Sequence, residues 1–469
     1  MSEGDLPLRR HYTPEEVAEI ARKQHLTRYP KLAVRRYKLS LKATSEPKFR
    51  FYVLFGQVSL TDTLQCAYQK VRANGGCAGV DGVTFEDIEQ SEGGVEAYLA
   101  KIQTEVRERT YRAQPLRRHY IEKENGKMRP LGIPVIKDRI VQAAVKLVIE
   151  PIFEADFNDC SYGFRPNRSA QQAVTKIAEN IKNGETRIYD ADLSSYFDTI
   201  PQEKIIKALR MRIVDKSLLA LIRQWLKAPI REPDGTMKST KGKGTPQGGV
   251  ISPLLSNIYL HWFERIAQIE GEKMGQQFSI VRYADDFVLM ASELKDGFLR
   301  KIEDILERRM ELKVNREKTK IVDMRTDKAE LNFLGYGFRF VKDRLYGTGR
   351  KYLTYGPSKK SIKKICRGIK TITLSRNGLV PIPTIVKRIN EKTKGWANYF
   401  SVGYPSKAFQ RVNYRVLCRM ARFLNRRSQR YYHLKFADSY YGELQHYGWQ
   451  RLRWQDFRGG FDNKKKNMV

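Results

Sequence analysis

The chain has 469 residues, 41% hydrophobic and 11% aromatic, with 87 Lys and Arg against 52 Asp and Glu and a formal net charge of +35. That apolar fraction excludes a globally disordered chain, and no stretch approaches the ~20 uninterrupted apolar residues of a membrane span. The positive surplus calls for a polyanionic partner, and the length predicts about three domains.

In chain order, the first fifty residues read as a basic arm holding one helix over Pro14–Lys23, begun by Thr13 as N-cap. The glycine-rich run 74–82 matches no Walker spacing and reads as a loop. Apolar residues at helical spacing predict buried helices over 138–153 and 169–181, then a short strand over 187–193. Asp190 and Asp192 lie on one face of that strand, because side chains alternate. A buried helix is expected over 253–266, a hairpin of strands 278–282 and 287–291 around Tyr283-Ala284-Asp285-Asp286, and a helix over 303–312. Strands are expected over 331–340 and 344–353, and basic helices follow Gly356-Pro357. The expected segments are a basic N-terminal extension over 1–65, a main unit over 66–355, a helical region over 356–430 and a basic aromatic tail over 431–469.

Charge concentrates at the end: from Arg350 to Val469 there are 28 Lys and Arg against 5 Asp and Glu, a surplus of 23 positive charges. Aromatic residues such as Trp396, Tyr399, Tyr404, Tyr431 and Trp449 are interleaved with them, to stack bases or to pack the region's own core. The five cysteines form no CxxC pair and Met1–Arg10 holds no apolar signal region, so reduced thiols in a cytoplasmic protein are expected. The six histidines are scattered and support no metal site or triad.

The chemistry is expected at carboxylates. Asp285 and Asp286 stand together at a hairpin tip within apolar strands, where adjacent negative charges raise one another's pKa unless a cation, solvent or a metal shares the site. Asp192, on a separate strand, completes the cluster. Oxygen ligands of this kind suit Mg²⁺, and two ions so held clamp the attacking and leaving oxygens of an in-line phosphoryl displacement.

YADD (283–286), DADLSSYFD (190–198), KGTPQGGVISPLLSNIYL (243–260), GKMRPLGIP (126–134) and YGFRPNRSAQQAV (162–174) occur here in the order seen in reverse transcriptases. With LKVNREKTK (312–320), FLGYGF (333–338) and GWANYF (395–400), the pattern over about residues 65 to 405 resembles the group II intron-encoded reverse transcriptase/maturase family. The resemblance implies an α/β right-hand polymerase, fingers and palm, with an α-helical basic thumb. It implies RNA-directed DNA synthesis from a primer 3′-OH, with an RNA template, a DNA or RNA primer, dNTP and two Mg²⁺ ions, Mn²⁺ being a substitute. By position, Asp192, Asp285 and Asp286 match the catalytic metal-site carboxylates. Lys127 and Arg129 match the fingers residues that grip the triphosphate, Phe197 the ring that crowds a ribose 2′-OH, Gln247 the residue beside the nucleotide, and Lys318 the lysine of a later block. Gly248 and Gly249 are expected to let backbone approach the template and nucleotide. Lys359, Lys363, Arg367 and Lys370 fall on one helical face, as a phosphate-tracking surface requires. With no CxxC pair, the paired-cysteine endonuclease of some relatives is not expected here, and residues 406–469 do not clearly match the family's usual thumb and DNA-binding tail. Three roles stay open: service to a mobile intron, a free-standing enzyme of DNA repair or phage defence, and an RNA-binding splicing cofactor.

Overall fold

A computed structural model describes residues 12–122, 126, 128–342 and 350–457. Helix α1 (Pro14–Lys23) starts where the sequence predicts: Thr13 Oγ1 accepts from the Glu16 amide at 3.3 Å, and the Glu16 carboxylate accepts from the Thr13 amide at 3.0 Å. It pairs with α2 (Pro30–Ser45), and both depart from the expected loose arm. Ala21, Leu26, Leu32, Ala33 and Ala43 are buried in the main core. Arg36 donates to the Leu147 carbonyl and pairs with Glu150 at 3.0 Å, so part of the arm's charge docks it to the body. Helices α3 (Phe55–Val58), α4 (Thr61–Asn74), α5 (Phe85–Gln90) and α6 (Gly94–Arg107) complete this layer.

Strands β1 (Leu116–Glu122) and β2 (Met128–Ile133) form an antiparallel pair, followed by α7 (Ile136–Glu154), which is buried along most of its length. After α8 (Ala170–Lys182), β3 (Arg187–Ala191) enters the palm. Helices α9 (Tyr196–Thr199), α10 (Gln202–Leu209) and α11 (Lys216–Lys227) lead to β4 (Ile230–Arg231) and β5 (Met237–Lys238), which extend the first sheet in the order β2-β1-β4-β5. Helix α12 (Ser252–Lys273) runs into the hairpin of β6 (Ser279–Tyr283) and β7 (Asp286–Ala291). The helix expected over 303–312 begins earlier, as α13 (Asp296–Asp304), and widens into a π-turn over Ile305–Arg309. Gly297 near its start hid the beginning, although Phe298, Leu299, Ile302, Ile305 and Leu306 mark its buried face. Strand β8 (Lys320–Asp323) then closes an antiparallel palm sheet of order β6-β7-β3-β8.

The single strand expected over 331–340 is two, β9 (Leu331–Phe333) and β10 (Tyr336–Lys342), because Leu334 and Gly335 turn at φ 49° and 80°. With β11 (Lys351–Pro357) they form a third sheet; the expected strand over 344–353 lies partly outside the described residues. Helices α14 (Lys359–Ile372), α15 (Ile382–Tyr399), α16 (Ser406–Asn425) and α17 (Tyr440–His446) make the C-terminal region. Its core joins Ile365, Ile385, Val412 and Leu444 to Ile188 and Val288 of the palm. Buried Glu443 accepts from the Tyr432 hydroxyl at 2.6 Å and from the Lys435 and Phe436 amides, which ties the expected tail onto these helices. Trp396, Phe400 and Trp449 pack within this core, while Tyr404, Tyr414 and Tyr431 face solvent. The fold is mixed α/β with a helical C-terminal region, and among the described residues no helix is long and apolar enough to cross a membrane.

Candidate active site

The palm sheet brings the carboxylates together through register. Ala191 pairs with Phe287, so Asp192 follows the end of β3 directly across from Asp286 at the start of β7. Tyr283 pairs with Asp286 to close the hairpin, and Ala284 takes φ +58° in the turn. That unfavourable backbone is held from inside by Arg282, which is fully buried. Its Nη1 donates to the Ala284 carbonyl at 2.9 Å and to Asn257 Oδ1 at 2.8 Å. Its Nε reaches Glu264 Oε1 at 2.5 Å, and its Nη2 reaches Ser161 Oγ at 2.6 Å. Asn257 Nδ2 also donates to the Gly163 carbonyl at 2.7 Å. A side chain at Gly163 would place its Cβ 2.3 Å from the Ala284 nitrogen. Three sequence motifs, around Gly163, Asn257 and Arg282, are thus one buried clamp on the hairpin turn that carries Asp285 and Asp286. The sequence reading missed Arg282; the signal was a guanidinium in the middle of an apolar strand.

Crowding governs the charges. Burial pushes the Asp285 carboxyl above its ordinary range, with the Arg129 charge opposing and Asp192 adding to the rise. Asp286 is pushed up to about 7, first by the surrounding protein and then by the charges of Asp285, Asp192 and Asp190. Its outer edge still meets solvent, so water softens that repulsion. Asp190 is pushed up to about 6 by burial, against the pull of Lys320. Lys318 lies beside Asp192, its Nζ 3.2 and 3.0 Å from the two carboxylate oxygens, and Asn315 Nδ2 donates to the same group at 2.9 Å. The sequence reading placed Lys318 here by position and missed Asn315, three residues before it.

A cleft of about 560 Å³ opens over this floor, lined by Asp190, Asp192, Asp286, Lys318, Lys320 and Lys360. On the other side, Arg129 Nε donates to Gln247 Oε1 at 2.8 Å, and Gln247 Nε2 donates to Asp198 Oδ2 at 3.0 Å. Arg129, Gln247 and Asp198 are therefore one chain beside Asp285, with Asp198 the member the sequence reading did not select. Phe197 is half-buried, packed edge-on to Tyr196 at 5.4 Å between centroids, and its carbonyl accepts from the Thr245 amide in the loop that carries Gln247. Lys127 lies outside the described residues. A Cβ at Gly248 would stand 2.7 Å from the Gly132 carbonyl, and one at Gly249 2.7 Å from Ser252 Oγ, so both positions are also closely packed against the protein itself. Lys359, Lys363, Arg367 and Lys370 are exposed together on α14, opposite the buried Ile365 and Ile369.

Among the described residues no three His, Cys, Asp or Glu side chains close on one point as a ready-made metal cage. The donor set nonetheless fits Mg²⁺, which takes one or two carboxylates and completes its shell with substrate phosphates and water. Asp285 and Asp286 repel enough to favour a cation, and the cleft leaves room for the remaining ligands.

Residues 121–338 match the family model for reverse transcriptase (RNA-dependent DNA polymerase), and residues 362–441 match the group II intron, maturase-specific domain. Protein YkfC of Escherichia coli is 34% identical over 66% of this chain and 87% of its own length. The chain belongs to the group II intron reverse transcriptase/maturase family. It carries an RNA-directed DNA polymerase domain, and the maturase-specific match corrects, as far as residue 441, the expectation that residues beyond 405 leave the family pattern. The group II intron-encoded protein LtrA of Lactococcus lactis subsp. cremoris is 38% identical over 46% of this chain, which spans only 35% of that protein. Among solved structures, a telomerase from Candida albicans covers 70% of this chain and 62% of its own at 13% identity, with a TM-score of 0.39, too loose a similarity to carry an argument.

Proposed function

We propose that this reverse transcriptase extends a primer 3′-OH on an RNA template, with catalysis at Asp192, Asp285 and Asp286. The observation that carries the reading is the meeting of Asp192 and Asp286 across neighbouring strands, with Lys318 on one side and the Arg129–Gln247–Asp198 chain on the other. The primer oxygen attacks the α-phosphorus of a dNTP, the bond to pyrophosphate breaks, and the 3′-OH proton is lost. Two Mg²⁺ ions on the aspartates would supply the charge that steadies the attacking and leaving oxygens. Arg129 and Lys127 neutralise the triphosphate, Arg129 with a fork that matches phosphate oxygens. Gln247, fixed between Arg129 and Asp198, positions the nucleotide, and Phe197 walls off its 2′ side. Lys318, its Nζ 3.0 Å from an Asp192 carboxylate oxygen, offsets the carboxylate charge at the edge of the cleft. Positioning and charge neutralisation supply most of the rate.

The test is Asp285→Ala in primer extension on poly(rA)/oligo(dT), with RNA affinity measured by filter binding. Extension falls by orders of magnitude while binding persists; near-normal extension would sink the assignment. A second role, aiding the folding and splicing of a group II intron RNA, is favoured by the maturase-specific match over residues 362–441. Loss of splicing of a flanking intron RNA when the protein is withheld would support it.

A further inference from the structure

The helical C-terminal region holds a second basic site, apart from the exposed face of α14. Between the last turn of α14, the single turn Ser375–Asn377 and the end of α16 lies a pocket of about 160 Å³. Lys370, Arg419, Arg422, Arg426 and Arg427 line it, and no lining residue is acidic. Among the described residues none of these five cations forms an ion pair. Arg419 is committed inward, its Nε donating to Thr373 Oγ1 at 3.0 Å and its Nη2 to the Thr373 carbonyl at 2.8 Å. Arg427 Nη1 is buried without any acceptor. An unmet buried guanidinium N–H is costly, and Arg422 in the last turn of α16 and Arg426 at its C-cap bring like charges to one pocket, where they repel. A bound anion would turn each of these costs into a charge-assisted hydrogen bond.

Size decides which anion. Sites for whole small molecules occupy ~300–1,000 Å³, so this pocket is small for a whole nucleotide, and its five cations with no acid among the lining residues suit a phosphate group. Continuity decides its source. Lys370 lines the pocket and also ends the exposed row Lys359, Lys363, Arg367, Lys370, so a strand tracking that row delivers one of its phosphates to the pocket. We propose that the pocket seats one phosphodiester of a bound RNA strand and so anchors it to the thumb. The inference rests on the polymerase reading for the presence of RNA.

The experiment is fluorescence anisotropy of a labelled single-stranded RNA across a KCl series, with Arg422→Gln/Arg426→Gln compared with Lys101→Gln/Lys182→Gln. Both double variants lose the same charge from exposed positions, but the second pair lies on α6 and α8. The pocket variant should bind RNA about tenfold more weakly at low salt, and its log K against log salt slope should flatten by about 0.7, the value for one phosphate released from a single strand. The control pair should keep the wild-type slope. Equal slopes in pocket and control variants, in a protein that binds RNA and extends primers, would overturn the pocket alone. Absent RNA binding and extension by the wild type would instead overturn the polymerase reading beneath it. Calorimetric titration with inorganic phosphate at constant ionic strength separates a free anion from a strand. Phosphate heat abolished in the pocket variant without any change in RNA slope would overturn the proposal in favour of a free-anion site.

Discussion

Arg282→Met removes the guanidinium that clamps the Ala284 turn and leaves the Glu264 carboxylate buried without its Arg282 partner. Breaking a buried pair by deleting one partner costs about 3–5 kcal/mol. The site itself points the same way. Burial alone would raise the Glu264 pKa, but the Arg282 charge, with hydrogen bonds from His261 and Arg282, overrides it and brings the group from 4.5 to about 2, so Arg282 supplies the largest part of the pull that keeps this buried carboxylate ionised. At about 2 °C per kcal/mol in a chain of this size, the melting temperature should fall roughly 5–10 °C. Glu264→Gln on the Arg282→Met background removes the stranded charge and should recover part of the loss, the signature of direct coupling. The sign with pH follows from a depressed carboxylate: the stabilisation is present above about pH 4.5 and disappears as pH falls through about 2, so the gap between wild type and Arg282→Met narrows on acidification. Below its melting point the variant should lose kcat more than primer–template affinity, because Ala284 loses its internal hydrogen bond. Scanning calorimetry and steady-state extension read all of this. A melt within a degree of wild type, or a double variant whose loss is the sum of the two single ones, would refute the clamp.

Mg²⁺ without nucleotide should raise the melting temperature of the wild type, since a ligand of the folded state stabilises it by mass action. Asp286→Asn should raise the melt in EDTA, by removing one crowded charge, and shrink the Mg²⁺ shift. Phe197→Ala should raise ribonucleotide incorporation relative to dNTP use, measured by single-nucleotide extension; an unchanged ratio would make the ring purely structural. Charge reversal of Lys359, Lys363, Arg367 and Lys370 to Glu should weaken primer–template binding and flatten its salt dependence, and an unchanged slope would move the binding surface elsewhere.

What the sequence made legible divides along physical lines. The N-cap at Thr13, the helix ending at Glu154 and the hairpin around Tyr283–Asp286 follow from local capping, 3.6-residue spacing and strand alternation, and the structure has them near the expected places. The reading failed where tertiary contact decides. Leu334 and Gly335 break a largely apolar and aromatic run by turning, and the pairing of β10 with β9 reveals it. Basic residues of the first fifty look solvated until Arg36 is seen to find Glu150 more than a hundred residues away. For the site, the three aspartates were visible as residue types in recurring motifs. Asn315, Asp198 and Arg282 were not, because each acts through a partner distant in sequence: Asp192, Gln247 and Glu264. The glycines of the 243–249 loop were visible, yet what they approach, Gly132 and Ser252, was not.

The central claim is that Asp192, Asp285 and Asp286 perform RNA-templated nucleotide addition. The most direct measurement is single-turnover incorporation of one dNTP onto a DNA primer annealed to an RNA template, titrated with Mg²⁺, for wild type and Asp192→Asn. The account predicts a one-nucleotide extension that needs Mg²⁺ in the wild type, and its loss by at least three orders of magnitude in the variant with the primer–template still bound. Extension by Asp192→Asn at the wild-type rate, or a wild type that binds the primer–template and adds nothing at any Mg²⁺ concentration, would contradict it.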